Sequence, residues 1–270
     1  MVKKLFKHEI VSYLRTLLPV NLIVLAIAIM TRIVLFFEND SIIYSLVSGS
    51  SIFMFVVGII ACIFMTFIAA IVRFYKNLFT AEGYLMFTLP ITPTQHIFVK
   101  LLTATVCQLA SLVVIAVSVL IALTGKPLAE LMETFSYLCE AIATHIPTVH
   151  TVLYCIELII MLTIYMVSAP LLYYACITVG QTAKKNRILM AVGVYFVYYM
   201  VTQVLSTVFM IVFTVLGELG AFEAIGQLAT QHPYAFIHGA LCLGIVFQAA
   251  IATLFYFITH SIMSKKLNLE

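Results

Sequence analysis

Few residues in this chain carry chemistry, and two of them are charges in places where charge is costly. Arg32 and Glu157 each sit inside a long apolar run. At ~1.5 Å per helical residue, each lies about 8 Å inside the outer end of its run. Equal depth and opposite sign read as a buried ion pair; the competing reading is that each side chain snorkels to the headgroup layer. A second pattern is Tyr195, Tyr199, Thr202, Gln203 and Ser206, which share one helical face of another apolar segment. A polar stripe in lipid should face protein or a water-filled path, so these residues are the candidate substrate contacts. Packing within an aromatic belt is the alternative. Gly58, Cys62 and Thr66 recur at i, i+4 as a small-residue face, which reads as close helix packing.

Catalytic frames are missing. The sequence has no HExxH, no G-x-S-x-G around Ser48-Gly49-Ser50-Ser51, and no pair of intramembrane acids. The six cysteines form no CxxC pair and mostly lie in apolar runs, where cysteine behaves as a small hydrophobe. His145 and His150 straddle Pro147 with Cys139 and Glu140 nearby, yet they match no ligand spacing, and no metal site is expected. Asn39-Asp40-Ser41 fits a glycosylation sequon, relevant only in a eukaryotic cell. The Gly125-Lys126 pair is followed by Pro127 rather than Ser or Thr, so it is no phosphate loop. The chain is expected to bind no cofactor and to be no enzyme by itself.

The elements that position these residues follow from composition. Of 270 residues, 64% are hydrophobic and 9% charged, against roughly 45–50% and 25% in soluble domains. Mean hydropathy is +1.16. No soluble packing of this length hides that much apolar surface, so the solvent is lipid. The expected fold is all-α and polytopic, with spans at Leu17–Phe37, Ile52–Val72, Leu101–Leu123, Val152–Val179, Ile188–Leu216 and Phe236–Met263. The runs are continuous rather than alternating, which excludes a barrel. Lys and Arg set the orientation. Twelve of the fourteen fall on one side, Arg32 and Lys126 being the exceptions, while Glu38, Asp40, Glu130, Glu133, Glu140, Glu218 and Glu223 fall on the other. Both termini are therefore expected in the cytoplasm. The net charge of +3 is spread rather than pooled, so lipid and not nucleic acid is the expected partner. The first run continues past Ala26-Ile27-Ala28, and a retained anchor is expected rather than a cleaved signal peptide.

Four pieces do not span. Residues 1–16 form an interfacial helix with Leu5, Phe6, Ile10, Tyr13 and Leu14 on one face, expected to bend into the first span at Pro19. Residues 124–151 hold an outer amphipathic helix, with Leu128, Leu131, Met132, Phe135, Leu138, Cys139, Ile142 and Ile146 at helical spacing, ending before Pro147. Residues 218–235 read as a short re-entrant or surface helix with Phe222, Ile225 and Leu228 on its apolar side. The cytoplasmic loop 73–100 contains Thr92-Pro93-Thr94-Gln95, a capping box that starts a new helix at Thr92. Before it, Leu78, Tyr84, Leu85, Met86 and Phe87 cluster apolar side chains on the cytoplasmic side, the mark of a protein or membrane contact. A membrane-lying segment without a partner is the alternative.

With that loop, the chain resembles the type-2 ABC exporter permeases, and "EGYLMFTLPITP" (Glu82 to Pro93) looks like their short Gram-positive bacterial branch. The architectural likeness covers the whole chain; the specific motif covers about twenty residues. The resemblance implies that the loop is a coupling helix docking into a separate nucleotide-binding ATPase, through Lys76, Glu82, Gly83, Tyr84, Leu85, Met86, Phe87 and Pro90. Where many members read Gly-Thr-Leu-Glu, this chain has Glu82-Gly83-Tyr84-Leu85. It further implies a second permease subunit, identical or sister, ATP and Mg on the partner ATPase, and a place in the bacterial cytoplasmic membrane. A non-transporting membrane scaffold or sensor is the alternative function.

Overall fold

The structure, a computed structural model, describes residues 2–37, 41–79, 92–183, 185–220 and 222–265. Among the described residues the regular elements are α-helices: α1 (Val2–Phe36), α2 (Ile42–Phe79), α3 (Pro93–Leu123), α4 (Lys126–His145), α5 (Thr148–Gly180), α6 (Arg187–Glu218), α7 (Glu223–Gln231) and α8 (Pro233–Lys265). Six of them, α1, α2, α3, α5, α6 and α8, are long and apolar enough to cross a bilayer. The chain is an all-α polytopic membrane protein. The apolar windows of these helices are at most 33% buried within the molecule. Water would charge ~1.5–3 kcal/mol for each large apolar side chain left outside, whereas lipid does not.

The helices outrun the spans read from hydropathy. The 38 residues of α2 reach about 57 Å, against a hydrocarbon core of ~30 Å. Arg73–Phe79 thus belong to α2 and Pro93–Lys100 to α3, so the expected loop 73–100 is helical at both ends. The start of α3 is local chemistry. Thr92 accepts from the Gln95 amide at 3.4 Å, and the Gln95 side chain accepts from the Thr92 amide at 3.2 Å. The leader and first span form one helix that stays helical through Pro19. The face holding Arg15, Thr16, Leu18 and Pro19 is exposed, so the carbonyl that Pro19 leaves without its amide partner lies on the outside rather than in the core.

The chain divides into two compact units, Met1–His145 and Ile146–Glu270. In the first, side-chain bonds fix direction and register. Glu9 meets Lys100 and Asn21 meets Ser111, separations of 91 and 90 residues, so α1 and α3 run parallel. Glu9 with Asn77, Asn21 with Cys62 and Thr31 with Ser51 set α1 antiparallel to α2. Small residues let the helices approach, with Ala69, Ala70, Ala104 and Cys107 around Tyr13 and Leu17. The Gly58, Cys62 and Thr66 face is part of this packing: Cys62 and Thr66 are buried, and a Cβ on Gly58 would stand 3.3 Å from Ile27. Helix α4 forms where the amphipathic pattern predicts, ends before Pro147, and leaves Leu131, Met132, Phe135 and Leu138 exposed.

In the second unit α5 is central, against α6 and α8. Residue separations of 81, 80 and 80 in Glu157–His238, Tyr154–Tyr234 and Ser168–Gln248 make α5 and α8 parallel. Helix α6 returns antiparallel: Tyr173 stacks on Tyr195 at 5.8 Å, and Gly180 abuts Ala191. That last approach demands glycine, since a Cβ there would lie 2.6 Å from that of Ala191. The core collects in one half of the unit, around Leu171, Tyr174, Ala175 and Cys176 of α5 with Ala252, Phe255 and Met263 of α8. The short α7 packs on α8, and Phe222 before it stacks on Phe213 of α6 at 4.3 Å.

Candidate functional site

Unit 1 carries a buried polar seam. Lys100 on α3 donates to Glu9 on α1 at 2.7 Å, with the two side chains 4% and 1% exposed. Asn77 on α2 donates to the same carboxylate oxygen at 3.0 Å, so one acid ties three helices together. His96, one turn before Lys100 on the same face, is fully buried. Farther along, Asn21 donates to Ser111 at 3.3 Å and accepts from Cys62 at 3.1 Å. The sequence reading took Arg32 and Glu157 as the intramembrane charges and counted Lys100 among the loop lysines. Glu9 and Lys100 were not expected to meet, and they form a buried pair. The sequence does hold a signal for it, because Glu9 falls four residues from both Leu5 and Tyr13, a lone acid on the apolar stripe.

Beside this seam lies a cleft of about 390 Å³ between α1 and α2, lined by Ser12, Thr16, Val72, Arg73, Lys76 and Asn77 among others. Arg73 donates to the Ser12 carbonyl and lies over the Tyr13 ring, 4.9 Å from its centroid. Lys76 is exposed on the cleft wall. The other residues expected at an ATPase contact, Glu82, Gly83, Tyr84, Leu85, Met86, Phe87 and Pro90, lie outside the described residues.

Arg32 and Glu157 belong to different units, and each has neighbours within its own. The Arg32 guanidinium folds against the turn between α3 and α4, where a Cβ on Gly125 would lie 2.7 Å from it. The Glu157 carboxylate accepts from His238 Nδ1 at 2.8 and 3.0 Å. A neutral His238 ring then offers Nε2 as an acceptor, and His150 Nδ1 stands 3.1 Å away to donate. Tyr154 stacks on His238 at 4.3 Å and Tyr234 on His150 at 4.5 Å, holding both rings in place. This Glu–His–His chain orients a base, yet among the described residues no hydroxyl or thiol bonds to His150 Nε2, so no nucleophile completes a triad. His238 was not singled out in the sequence, although an imidazole early in an apolar span is a usable signal. His145 bonds instead to Ala141 and Thr144, and among the described residues no group of three or more His, Cys, Asp or Glu is placed to hold a metal.

The stripe on α6 is placed on the surface of its unit. Tyr195 packs on Tyr173, and Thr202 and Ser206 bond to carbonyls of their own helix at 2.9 and 2.9 Å. Tyr199 is 55% exposed, Gln203 is exposed, and α6 buries none of its residues. No protein-family model, curated protein or solved structure matches this chain.

Proposed function

We propose that this chain is the permease subunit of an ATP-driven exporter of the type-2 ABC class. It works by alternating access, with a separate nucleotide-binding ATPase that holds ATP and Mg and a second permease subunit, identical or sister. Its place is the bacterial cytoplasmic membrane, with both termini in the cytoplasm. The observation that carries the reading is α6, an apolar helix that buries nothing yet presents Tyr199, Gln203 and Ser206 outward. The Gln203 amide has no partner among the described residues. Facing hydrocarbon, such a group costs several kcal/mol, so this face fits a water-filled path between two permease subunits. Closure of the partner ATPases would act on α2 and α3 through the segment that joins them, with contacts from Lys76 and from residues 82–87.

Affinity purification of the chain from its native membrane in mild detergent, with mass spectrometry of what accompanies it, tests the proposal. A stoichiometric partner bearing a Walker A motif is expected, and Leu85→Glu or Phe87→Glu should shed it without lowering the thermal midpoint of the permease. A chain that purifies without an ATPase points instead to a scaffold or sensor. On the transport side, Tyr199→Ala and Gln203→Ala should alter transport selectivity or drug-stimulated ATPase activity; unchanged profiles would remove α6 from the path.

A further inference from the structure

The cleft between α1 and α2 has two chemically distinct halves arranged along the helix axis. Met65, Ile68 and Val72 line one end, with Thr16 of α1 at the level of Ile68; Arg73, Lys76, Asn77 and Ser12 line the other. The step between them falls where the apolar run of α2 stops, at Val72. Glu9, the acid nearest by its bond to Asn77, is matched by Lys100. No carboxylate among the described residues pairs with Arg73, and its buried Nε has no hydrogen-bond acceptor there. The guanidinium is held in place all the same, by the Ser12 carbonyl and the Tyr13 ring. A cation fixed at the edge of an apolar segment, with no counter-charge among the described residues, is a site for an anion, and guanidinium geometry suits phosphate oxygens.

We propose that this cleft binds an anionic phospholipid, its phosphate headgroup at Arg73 and the start of one acyl chain along Met65, Ile68 and Val72. A freely soluble anion would use the cationic end and have no use for the apolar one. The volume, about 390 Å³, equals that of about thirteen waters at ~30 Å³ each, enough for a headgroup and the first methylenes. The charge-based orientation sets this end at the inner leaflet, where anionic lipids concentrate. The site does not depend on what the chain transports.

Native mass spectrometry of the purified full chain, titrated with phosphatidylglycerol or with phosphatidylcholine of the same chains, tests the site. The wild type is expected to prefer phosphatidylglycerol. Arg73→Gln should weaken that lipid about fivefold, the worth of one basic residue at a membrane surface, and erase most of the preference. Ile68→Trp, at an exposed position that fills the apolar end, should weaken both lipids. Millimolar inorganic phosphate should not compete. Equal binding of the two lipids by the wild type, an undiminished preference in Arg73→Gln, or displacement by inorganic phosphate alone would each overturn the proposal. Circular dichroism and the thermal midpoint report folding. Should Arg73→Gln fail to fold, Arg73→Lys, which keeps the charge and loses the guanidinium fork, carries the same test with a smaller expected loss of preference. Copurification of an ATPase is unaffected by any of these outcomes, so this site and the transport reading fail separately.

Discussion

Glu9 gathers Lys100 and Asn77 around one buried carboxylate, and its removal would leave a lysine in the interior without its counter-charge. Glu9→Gln or Lys100→Met alone is expected to cost about 3–5 kcal/mol, read as a fall in the thermal midpoint of the detergent-solubilised protein. The double variant Glu9→Leu with Lys100→Met should lose less than the sum of the two, since the uncompensated charge disappears. Additive losses would mean the pair is not coupled. A second cycle concerns Glu157, whose carboxylate is bonded by His238. Glu157→Gln and His238→Gln should also be less than additive, and the same cycle with Arg32→Gln reports whether that carboxylate answers Arg32 as well. The identity of the costly residues was partly legible: Glu157 stood out within an apolar run, and Glu9 lay in view on an apolar stripe. Their partners were not, because a contact across 91 or 81 residues depends on helix register, which no local pattern contains.

At the scale of the element, what local rules govern was readable and what packing governs was not. Thr92, Pro93 and Gln95 announce the start of α3 because the capping bonds they make lie within one turn. Helices α1 and α2 run past the spans read from hydropathy because hydropathy falls at the first charges while the helical hydrogen-bond ladder continues past them. The α5–α6 return shows the second kind. Gly180 abuts the Ala191 backbone and Cβ, whereas nothing lies within 4 Å of a Cβ on Gly193, two residues beyond Ala191 on α6. Gly180→Ala is expected to destabilise by about 1–3 kcal/mol through overpacking. Gly193→Ala should be neutral or stabilise by up to about 1 kcal/mol, as alanine usually does in a helix. Equal midpoints for the two variants would remove the close approach as the reason for glycine at 180.

For the molecule as a whole, the number of crossings was fixed by composition and continuous apolar runs, and six helices of the required length are present. Within each unit the direction alternates: α1 and α3 parallel with α2 opposed, α5 and α8 parallel with α6 opposed. Alternation is what successive crossings of one membrane require. Reporter fusions at the N-terminus and the C-terminus are therefore expected to register the same side, and a reporter inserted at Glu133 in α4 the other. A split result for the two termini would mean that one of the six helices does not cross. The assignment of helices to partners, with α1 between α2 and α3 and α5 between α6 and α8, could not be read from periodicity, because in lipid the apolar faces are not distinguished by burial.

The parallel pairing of α1 with α3 also has a consequence in time. A ribosome adding ~5–20 residues per second needs roughly 5–18 s to make the 91 residues that separate Glu9 from Lys100. Throughout that interval the acid lacks Lys100, and α2 alone offers it Asn77. The seam therefore stays open until α3 emerges. Once it does, all partners of the acid are present, and the first unit can close its seam while the second is still being translated.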